Sequence, residues 1–410
     1  MAVLRFLQVS DVHLGRPFGW LDAEHRLERR KDQREALSLV VTQAIERAAH
    51  AILIPGDLFD QEGVDAESLA FALHAFDVAG CPPVLIAPGN HDPWFDASPY
   101  WSPRMLNARG FAWPDHVHVF STPGWSAKAL PNLADVRVWG RCYMPRMASV
   151  ERPLVPEALQ AVGPPAPGGI EIAVFHGSRE NRCPPGQQVV APFSDEEVRS
   201  TPFAYIAVGH YHAASRIESH DAGAGGVQLA YAGSAVALDP TELGKHGALE
   251  VTIEFGPGRH HVAVEEVELD LRNVLDVVAD VTGCSSAEEV DRRALKALDE
   301  AKTDAFDIAT VRLRGRLVKG VRYSGPGGSL AARAFHVRTD LRGVRPDYDL
   351  AAYRNAEAST TEERFAKVLL ERLDGANDPD ERTTIESALY YGLDAFRLRE
   401  VVPAYEDFGP

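Results

Sequence analysis

Thiols are scarce in this chain of 410 residues: Cys81, Cys142, Cys183 and Cys284 are its only cysteines, and no two stand close enough for a CxxC motif. That spacing excludes a thiolate-rich metal site and a redox dithiol, and fits unpaired thiols in a reducing compartment. Long apolar runs are also missing, none approaching the roughly 18 residues that a membrane-spanning helix requires. The N-terminus has no signal-peptide pattern, because Met1 leads directly into Val3–Val9, which reads as a first strand. Cytoplasmic residence is the expectation. Basic charge is in deficit, with 42 Lys and Arg against 59 Asp and Glu and a net charge of −17. The deficit argues against a broad basic face for nucleic acid. It does not exclude nucleic-acid chemistry, because divalent cations would add positive charge inside a cleft. One local exception is the group Arg26, Arg29, Arg30 and Arg34. Either it contacts phosphate, or it is a solvated helix face interleaved with Glu28, Asp32 and Glu35, the plainer reading. Internal repeats and long low-complexity tracts are absent.

What is present is ordinary in bulk and specific in pattern. Apolar content of 45% and charged content of 25% suit a globular protein, and the length predicts two or three domains. Through the first two-thirds, strands and helices alternate. Strands are expected at Val3–Ser10, Ala51–Pro55, Val84–Ala87, His116–Phe120, Val136–Trp139, Ile170–Phe175, Tyr205–Val208, Gln228–Tyr231, Ala248–Phe255 and His260–Val267. Helices are expected over Glu28–Ala49, Asp65–Ala79 and Ser194–Arg199, the last opened by a Ser194/Glu197 capping box. Val162–Gly169 reads as a Pro/Gly loop inside this domain. After residue 268 the pattern changes to an amphipathic helix at Ser285–Lys302 and alternating strands at Asp307–Arg316 and Ala331–Thr339. Two helices, Thr360–Leu373 and Glu381–Arg397, close the sequence. The expected fold is therefore a layered α/β domain over 1–267, a smaller α+β domain over 268–345 and a helical segment over 346–410.

Five short segments, each just after an apolar run, carry the chemistry. They are Asp11-Val-His13, Gly56-Asp57-Leu-Phe-Asp60, Gly89-Asn90-His91-Asp92, Phe175-His176-Gly177 and Gly209-His210-Tyr-His212. Residues i and i+2 on an extended chain point to the same side, so Asp11 with His13, and His210 with His212, are expected to grip an ion in pairs. The carboxyl ends of strands are where open α/β sheets bind ligands. Asp57 has two oxygens and suits a bridge between two ions. Asp11, His13, Asp57, Asn90, His176, His210 and His212 are oxygen and imidazole donors without a thiolate, a set suited to Mn, Fe, Zn, Co or Ni. Their expected use is a two-metal site that activates water and clamps phosphoryl oxygens. Any one of these residues alone is more often structural; five such signals in order are not.

These segments resemble the calcineurin-like metallophosphoesterases, whose signature is D-x-H, G-D-x-x-D, G-N-H-D/E, H and G-H-x-H. Finer features are similar to the SbcD/YhaO-type DNA repair exonucleases: Asp11-Val-His13-Leu14-Gly15, Gly56-Asp57-Leu58-Phe59-Asp60 and Tyr231-Ala-Gly233-Ser234. The resemblance spans residues 1–265 and implies a metallophosphoesterase sandwich. It implies one metal held by Asp11, His13, Asp57 and His212 and another held by Asp57, Asn90, His176 and His210. It makes His91 the proton donor to the leaving oxygen, oriented by Asp60 or Asp92. Imidazole, which titrates near neutrality, suits that task. It further implies two divalent ions, manganese foremost, a capping domain over 268–345 that helps select a DNA end, an SbcC-type ABC ATPase partner and a homodimer. The two C-terminal helices are either a docking element for that ATPase or plain packing. The loop Ser178–Pro192 either supplies Arg179 and Arg182 to phosphate or is an ordinary surface loop.

The leading expectation is a metal-dependent DNA exonuclease, with endonuclease activity as an extension. Its rival is a phosphodiesterase for a small nucleotide or cyclic nucleotide, which the acidic balance favours. A non-catalytic scaffold for DNA ends or an ATPase comes last, because no ligand of the set is missing.

Overall fold

Asp22 decides where the first helix begins. Its side chain accepts the backbone N–H groups of Glu24 and His25, both at 3.0 Å, so α1 runs Ala23–Glu46 and starts before the expected Glu28. The computed structural model describes residues 2–60, 66–131, 133–145, 151–163, 168–184, 187–219, 224–318, 320–399 and 401. Residue 65, the expected start of the second helix, and much of the Val162–Gly169 loop lie outside the described residues. The chain divides into two compact units, Met1–Val274 and Leu275–Pro410.

In the first unit the strands are β1 (Ala2–Gln8), β2 (Ala51–Ile54), β3 (Val84–Ile86), β4 (Val117–Val119), β5 (Ser126–Leu130), β6 (Leu133–Gly140), β7 (Ile170–His176), β8 (Tyr205–Gly209), β9 (Ser215–Glu218), β10 (Ala224–Tyr231), β11 (Gly247–Gly256) and β12 (Arg259–Glu268). The helices between them are α1, α2 (Ala66–Phe76), α3 (Pro103–Ala108) and α4 (Asp195–Arg199). The hydrogen-bonded order is β4-β3-β2-β1-β11-β12-β10-β8-β7-β6-β5, with β9 beside β10. Strand β10 is the joint: Ala224–Gly226 pairs with β12, whereas Leu229–Tyr231 pairs with β8.

The two halves of this sheet share one core. Leu4 and Phe6 of β1, Leu53 of β2 and Val251 of β11 cluster with Val138 of β6, Ile172 and Val174 of β7 and Tyr205 of β8. Each such buried side chain contributes roughly 1.5–3 kcal/mol. Because side chains alternate along a strand, Ala173 and Phe175 of β7 face the other way, into a second cluster with Trp125, Phe193 and Val198. Both faces of β7 are covered, which explains its apolar run Ile172–Phe175. At the end of β1, Gln8 pins the halves together. Its Nε2 donates to Ala230 O at 2.9 Å and Val208 O at 3.3 Å, and its Oε1 accepts the Tyr205 hydroxyl at 2.6 Å. The carboxyl ends of β1, β2, β3, β7 and β8 are thereby brought to one place. The Ser194/Glu197 capping box stands at the start of α4 as expected.

The second unit contains β13 (Val274–Asp280), α5 (Ala287–Glu300), β14 (Ile308–Leu317), α6 (Gly328–Ala331), β15 (His336–Pro346), α7 (Leu350–Asn355), α8 (Thr361–Gly375) and α9 (Pro379–Leu398). Its sheet has the order β13-β14-β15, and Val290, Ala294 and Leu298 of α5 pack on Ala309, Val311 and Leu313 of β14. The expected strand Ala331–Thr339 is corrected. Leu330 and Ala331 belong to a short helix, Leu330 enters the core, and the strand begins only at His336. Alanine favours helix over strand, and it dominates the stretch 331–334. Farther on, Arg316 of β14 forks onto Asp394 of α9 at 3.1 and 2.6 Å.

Candidate metal centre

The strand ends do not continue straight. Asp11, His13 and Asp57 have φ of 50°, 51° and 53°, and His210 has φ of 113°. These are left-handed or strained backbones that a residue with a Cβ adopts only when its surroundings insist. The expected reason for pairing Asp11 with His13, and His210 with His212, is therefore corrected: they sit on turns, not on extended strand. A zipper of hydrogen bonds holds the first turn. Asp11 N donates to Gly56 O at 3.2 Å, His13 N to Asp57 O at 2.9 Å and Leu14 N to Leu58 O at 2.8 Å. Glycine is required where the turns meet side chains. A Cβ on Gly56, itself at φ 96°, would overlap the His176 ring, and one on Gly89 would overlap the Asp57 carboxylate.

These turns bring the expected ligands together. Asp11 with His13 and His212, and Asp11 with Asp57 and His176, each form a trio whose ligand atoms lie within 4.8 Å of one another; His13 also forms such a trio with Asp60 and His91, which were expected to serve catalysis rather than to bind metal. Asp57 Oδ2 is 3.3 Å from His176 Nε2 and 3.7 Å from His13 Nε2, a central position suited to a bridge. Asn90 Oδ1 joins through His176 Nε2 at 2.9 Å. The His210 ring lies 5.1 Å from the His176 ring, and its backbone N–H donates to Asp11 at 3.1 Å.

Each imidazole is held from outside by one ring nitrogen. His13 Nδ1 meets Asp60 Oδ1 at 3.1 Å, and His176 Nδ1 meets Pro55 O at 3.0 Å. His210 Nε2 meets Gln188 O at 2.8 Å, and His212 Nδ1 meets Glu242 Oε1 at 2.7 Å. Such outer partners fix tautomer and ring orientation and leave the other nitrogen for a metal. The fit to a divalent cation shows at His13, whose fully buried Nε2 has no hydrogen-bond partner. An orphaned nitrogen facing a carboxylate oxygen is what a cation-binding pocket leaves behind.

The electrostatics ask for positive charge. Burial would raise the Asp57 carboxyl, yet the rings of His176, His13 and His91 hold it below the ordinary carboxylate range. Burial disfavours charge on His176 too, but Asp57 and Asp11 push it up to about 9. His210, buried and beside His176, falls to about 4. A proton retained on His176 meets the demand that a divalent cation would meet, and metal binding displaces such protons.

Two expected roles change. Asp92 does not touch His91. It is fully buried and accepts four backbone N–H groups, from Gly89 at 2.7 Å, Leu58 at 2.8 Å and Asp57 and Phe59 at 3.2 Å. It therefore ties the Gly56–Phe59 and Gly89–Asp92 turns together. The Asp60 carboxylate is occupied by His13 and by Arg16 at 3.0 Å. It is the Asp60 carbonyl that accepts from His91 Nδ1, at 2.6 Å, so His91 is oriented by main chain and stands exposed at the site's mouth. Arg29 is neither a phosphate contact nor solvated. It is fully buried against Asp270 and Asp32. Arg179 is likewise committed, to Asp195 through two contacts of 2.6 Å. Sequence reasoning missed Glu242, whose partner His212 is 30 positions away. The only available signal was an acidic residue shortly after Tyr231–Ser234.

A stretch of 92 residues is 40% identical to the DNA double-strand break repair protein Mre11 of Aeropyrum pernix, covering 22% of this chain and 21% of that protein. The chain thus spans about a fifth of that relative's length. Among solved structures, it is similar to the protein TT1561 of Thermus thermophilus, with 15% identity, TM-score 0.33 and coverage of 63% of this chain and 100% of that one. It is also similar to a dimetal phosphatase from Danio rerio, with 13% identity, TM-score 0.38 and coverage of 64% and 98%. Residues 4–214 match the family described as calcineurin-like phosphoesterase, and the chain belongs to that family.

Proposed function

We propose that this phosphoesterase is a metal-dependent DNA nuclease that removes nucleotides from DNA ends by hydrolysing phosphodiester bonds. The observation that carries hydrolysis is the clustering of Asp11, His13, Asp57, His176 and His212 in two trios that share Asp11, beside an unpartnered His13 Nε2. The local 40% identity to a DNA double-strand break repair protein supports DNA as the substrate.

Asp11, His13, Asp57 and His212 would hold one ion, and Asp57, Asn90, His176 and His210 the other, with manganese as the proposed metal. Two divalent ions supply Lewis acidity toward phosphoryl oxygens and lower the pKa of water. The chain's own residues supply the rest. Asp60 O holds His91 through Nδ1–H, so the doubly protonated ring would give its Nε2 proton to the leaving oxygen and be left as the neutral Nδ1–H imidazole. Asp92 keeps the two turns in register, and with them Asn90 and His91 beside Asp57. Residues 268–345 are proposed as a cap that selects the DNA end. An SbcC-class ATPase and a homodimer are the proposed partners, with α8 and α9 as the docking element.

The net charge of −17 favours a second reading, a phosphodiesterase for a small nucleotide. The test is Mn²⁺-dependent hydrolysis of end-labelled duplex DNA against cyclic nucleotides. Progressive release of nucleotides from DNA supports the nuclease; turnover of the cyclic nucleotide alone overturns it.

A further inference from the structure

We propose that Glu242 is a positioning residue for His212, and that the Tyr231–Ser234 segment exists in this fold to hold that pair in place. The inference rests on His212 being a metal ligand, as in the reading above.

Glu242 Oε1 accepts from His212 Nδ1 at 2.7 Å. Its other oxygen accepts the Ser234 hydroxyl at 3.0 Å and the Leu238 backbone N–H at 2.9 Å. Both carboxylate oxygens are therefore engaged, and the side chain is largely buried, at 14% exposed. Ser234 is fully buried. Its hydroxyl also meets His246 Nδ1 at 3.0 Å, while His246 Nε2 returns to Glu242 O at 2.9 Å. The ring of contacts closes on Glu242 itself, so the carboxylate has no freedom to follow His212 if the imidazole turns.

The same segment holds the histidine loops by their backbones. Ser234 N donates to His212 O at 3.0 Å, and Ser234 pairs with Ser10, just before Asp11. A Cβ on Gly233 would come within 2.7 Å of His212 O. Tyr231 donates its hydroxyl to Gly177 O at 2.8 Å, accepts from Arg179 N at 3.0 Å and stacks on Tyr211 with ring centroids 4.8 Å apart. Tyr231 thus fixes the turn after His176 and lies against the residue between His210 and His212. The segment builds the site from behind.

The chemistry makes the carboxylate specific. Three donors converge on its two oxygens. An amide has one acceptor oxygen, so Glu242→Gln must turn its NH₂ toward either the His212 ring or the Ser234–Leu238 pair. The first choice puts the proton on His212 Nε2, the nitrogen meant for the metal; the second breaks the support.

The experiment is Mn²⁺ titration by calorimetry of the full chain, comparing wild type with Glu242→Gln and Ser234→Ala, alongside ¹⁵N spectra of histidine-labelled, metal-free protein. Glu242→Gln is expected to weaken one of two Mn²⁺ sites about 10–100-fold, the range for outer partners of metal ligands, with the His212 ring shifted from its Nδ1–H tautomer where the amide NH₂ turns toward it and unshifted where it turns toward Ser234 and Leu238. Ser234→Ala keeps the carboxylate and is expected to weaken the same site about tenfold, the lower end of that range, which preserves the test if Glu242→Gln does not fold, because unchanged affinity then overturns the role. Wild-type affinity at both sites together with an unmoved His212 tautomer overturns the positioning role and leaves the metal centre standing. A wild-type protein that binds no Mn²⁺ brings down the metal centre and this inference together.

Discussion

Two buried polar clusters in the phosphoesterase unit follow opposite rules. In the first, Arg29 and Arg272 face Asp32 and Asp270. Arg29 spans Asp270 at 2.7 and 2.5 Å, reaches Asp32 at 3.2 Å and gives its remaining donors to Ala237 O at 3.3 and 2.9 Å. Arg272 closes on Asp32 at 2.5 Å. Two cations balance two anions, and every guanidinium nitrogen of Arg29 donates. In the second cluster, carboxylates face imidazoles, His13 Nε2 is left without a partner, and Asp11, His13, Asp57 and His210 carry backbone strain. The first cluster is complete as it stands and acts as framework. The second is complete only with something added. Completeness, more than burial or charge, separates a structural ion network from a site.

The contrast breaks most sharply at His91. His91→Gln is expected to lower turnover about 10²–10⁴-fold while both Mn²⁺ ions stay bound; steady-state rates beside metal analysis read both, and an unimpaired variant ends the proton-donor assignment. In the framework cluster the expected effect is on folding. Arg29→Ala leaves Asp270 without its cation and Asp32 with Arg272 alone, and should cost roughly 3–5 kcal/mol in urea unfolding. A variant as stable as its parent means that the network is not what holds that region. Asp60→Asn sits between the two regimes. It weakens the grip on His13 but keeps the main-chain carbonyl on His91, so Mn²⁺ affinity should fall about 10–100-fold without the added loss seen at His91; calorimetry that shows no change removes Asp60 from the support of His13. The smallest effect belongs to Ser194→Ala, remote from both clusters. It removes one cap contact of α4 at 3.2 Å, lowering stability by about 1 kcal/mol with metal binding unaltered.

That the residues of the five motifs would meet was legible because each motif follows an apolar strand, and strand ends in a layered α/β fold converge. Asp11, His13, Asp57, His176 and His212 fall in trios of close ligand atoms, Asn90 bonds to His176, and the His210 ring stands 5.1 Å from the His176 ring. The local reason given for their pairing was not legible. Periodicity predicts extended chain after β1 and β8, whereas the left-handed φ of Asp11, His13 and His210 is imposed by contacts with Gly56, Asp57 and Asp11 that are distant in sequence. The same limit hid the framework cluster. Arg29 reads as one of four arginines on a charged helix, and its partner Asp270 lies 241 positions on. Asp92 reads as a catalytic neighbour of His91, although its oxygens serve four main-chain N–H groups. In the second unit, the Ala-rich stretch after Leu330 shows that apolar alternation over a few residues does not distinguish strand from helix.

Metal stoichiometry tests the central claim most directly. The purified protein, stripped and then saturated with Mn²⁺, should retain two ions per chain after removal of excess metal, and Asp57→Ala should retain neither, because Asp57 is proposed to serve both ligand sets. Wild-type protein without bound metal, or Asp57→Ala with both ions still in place, would contradict the account.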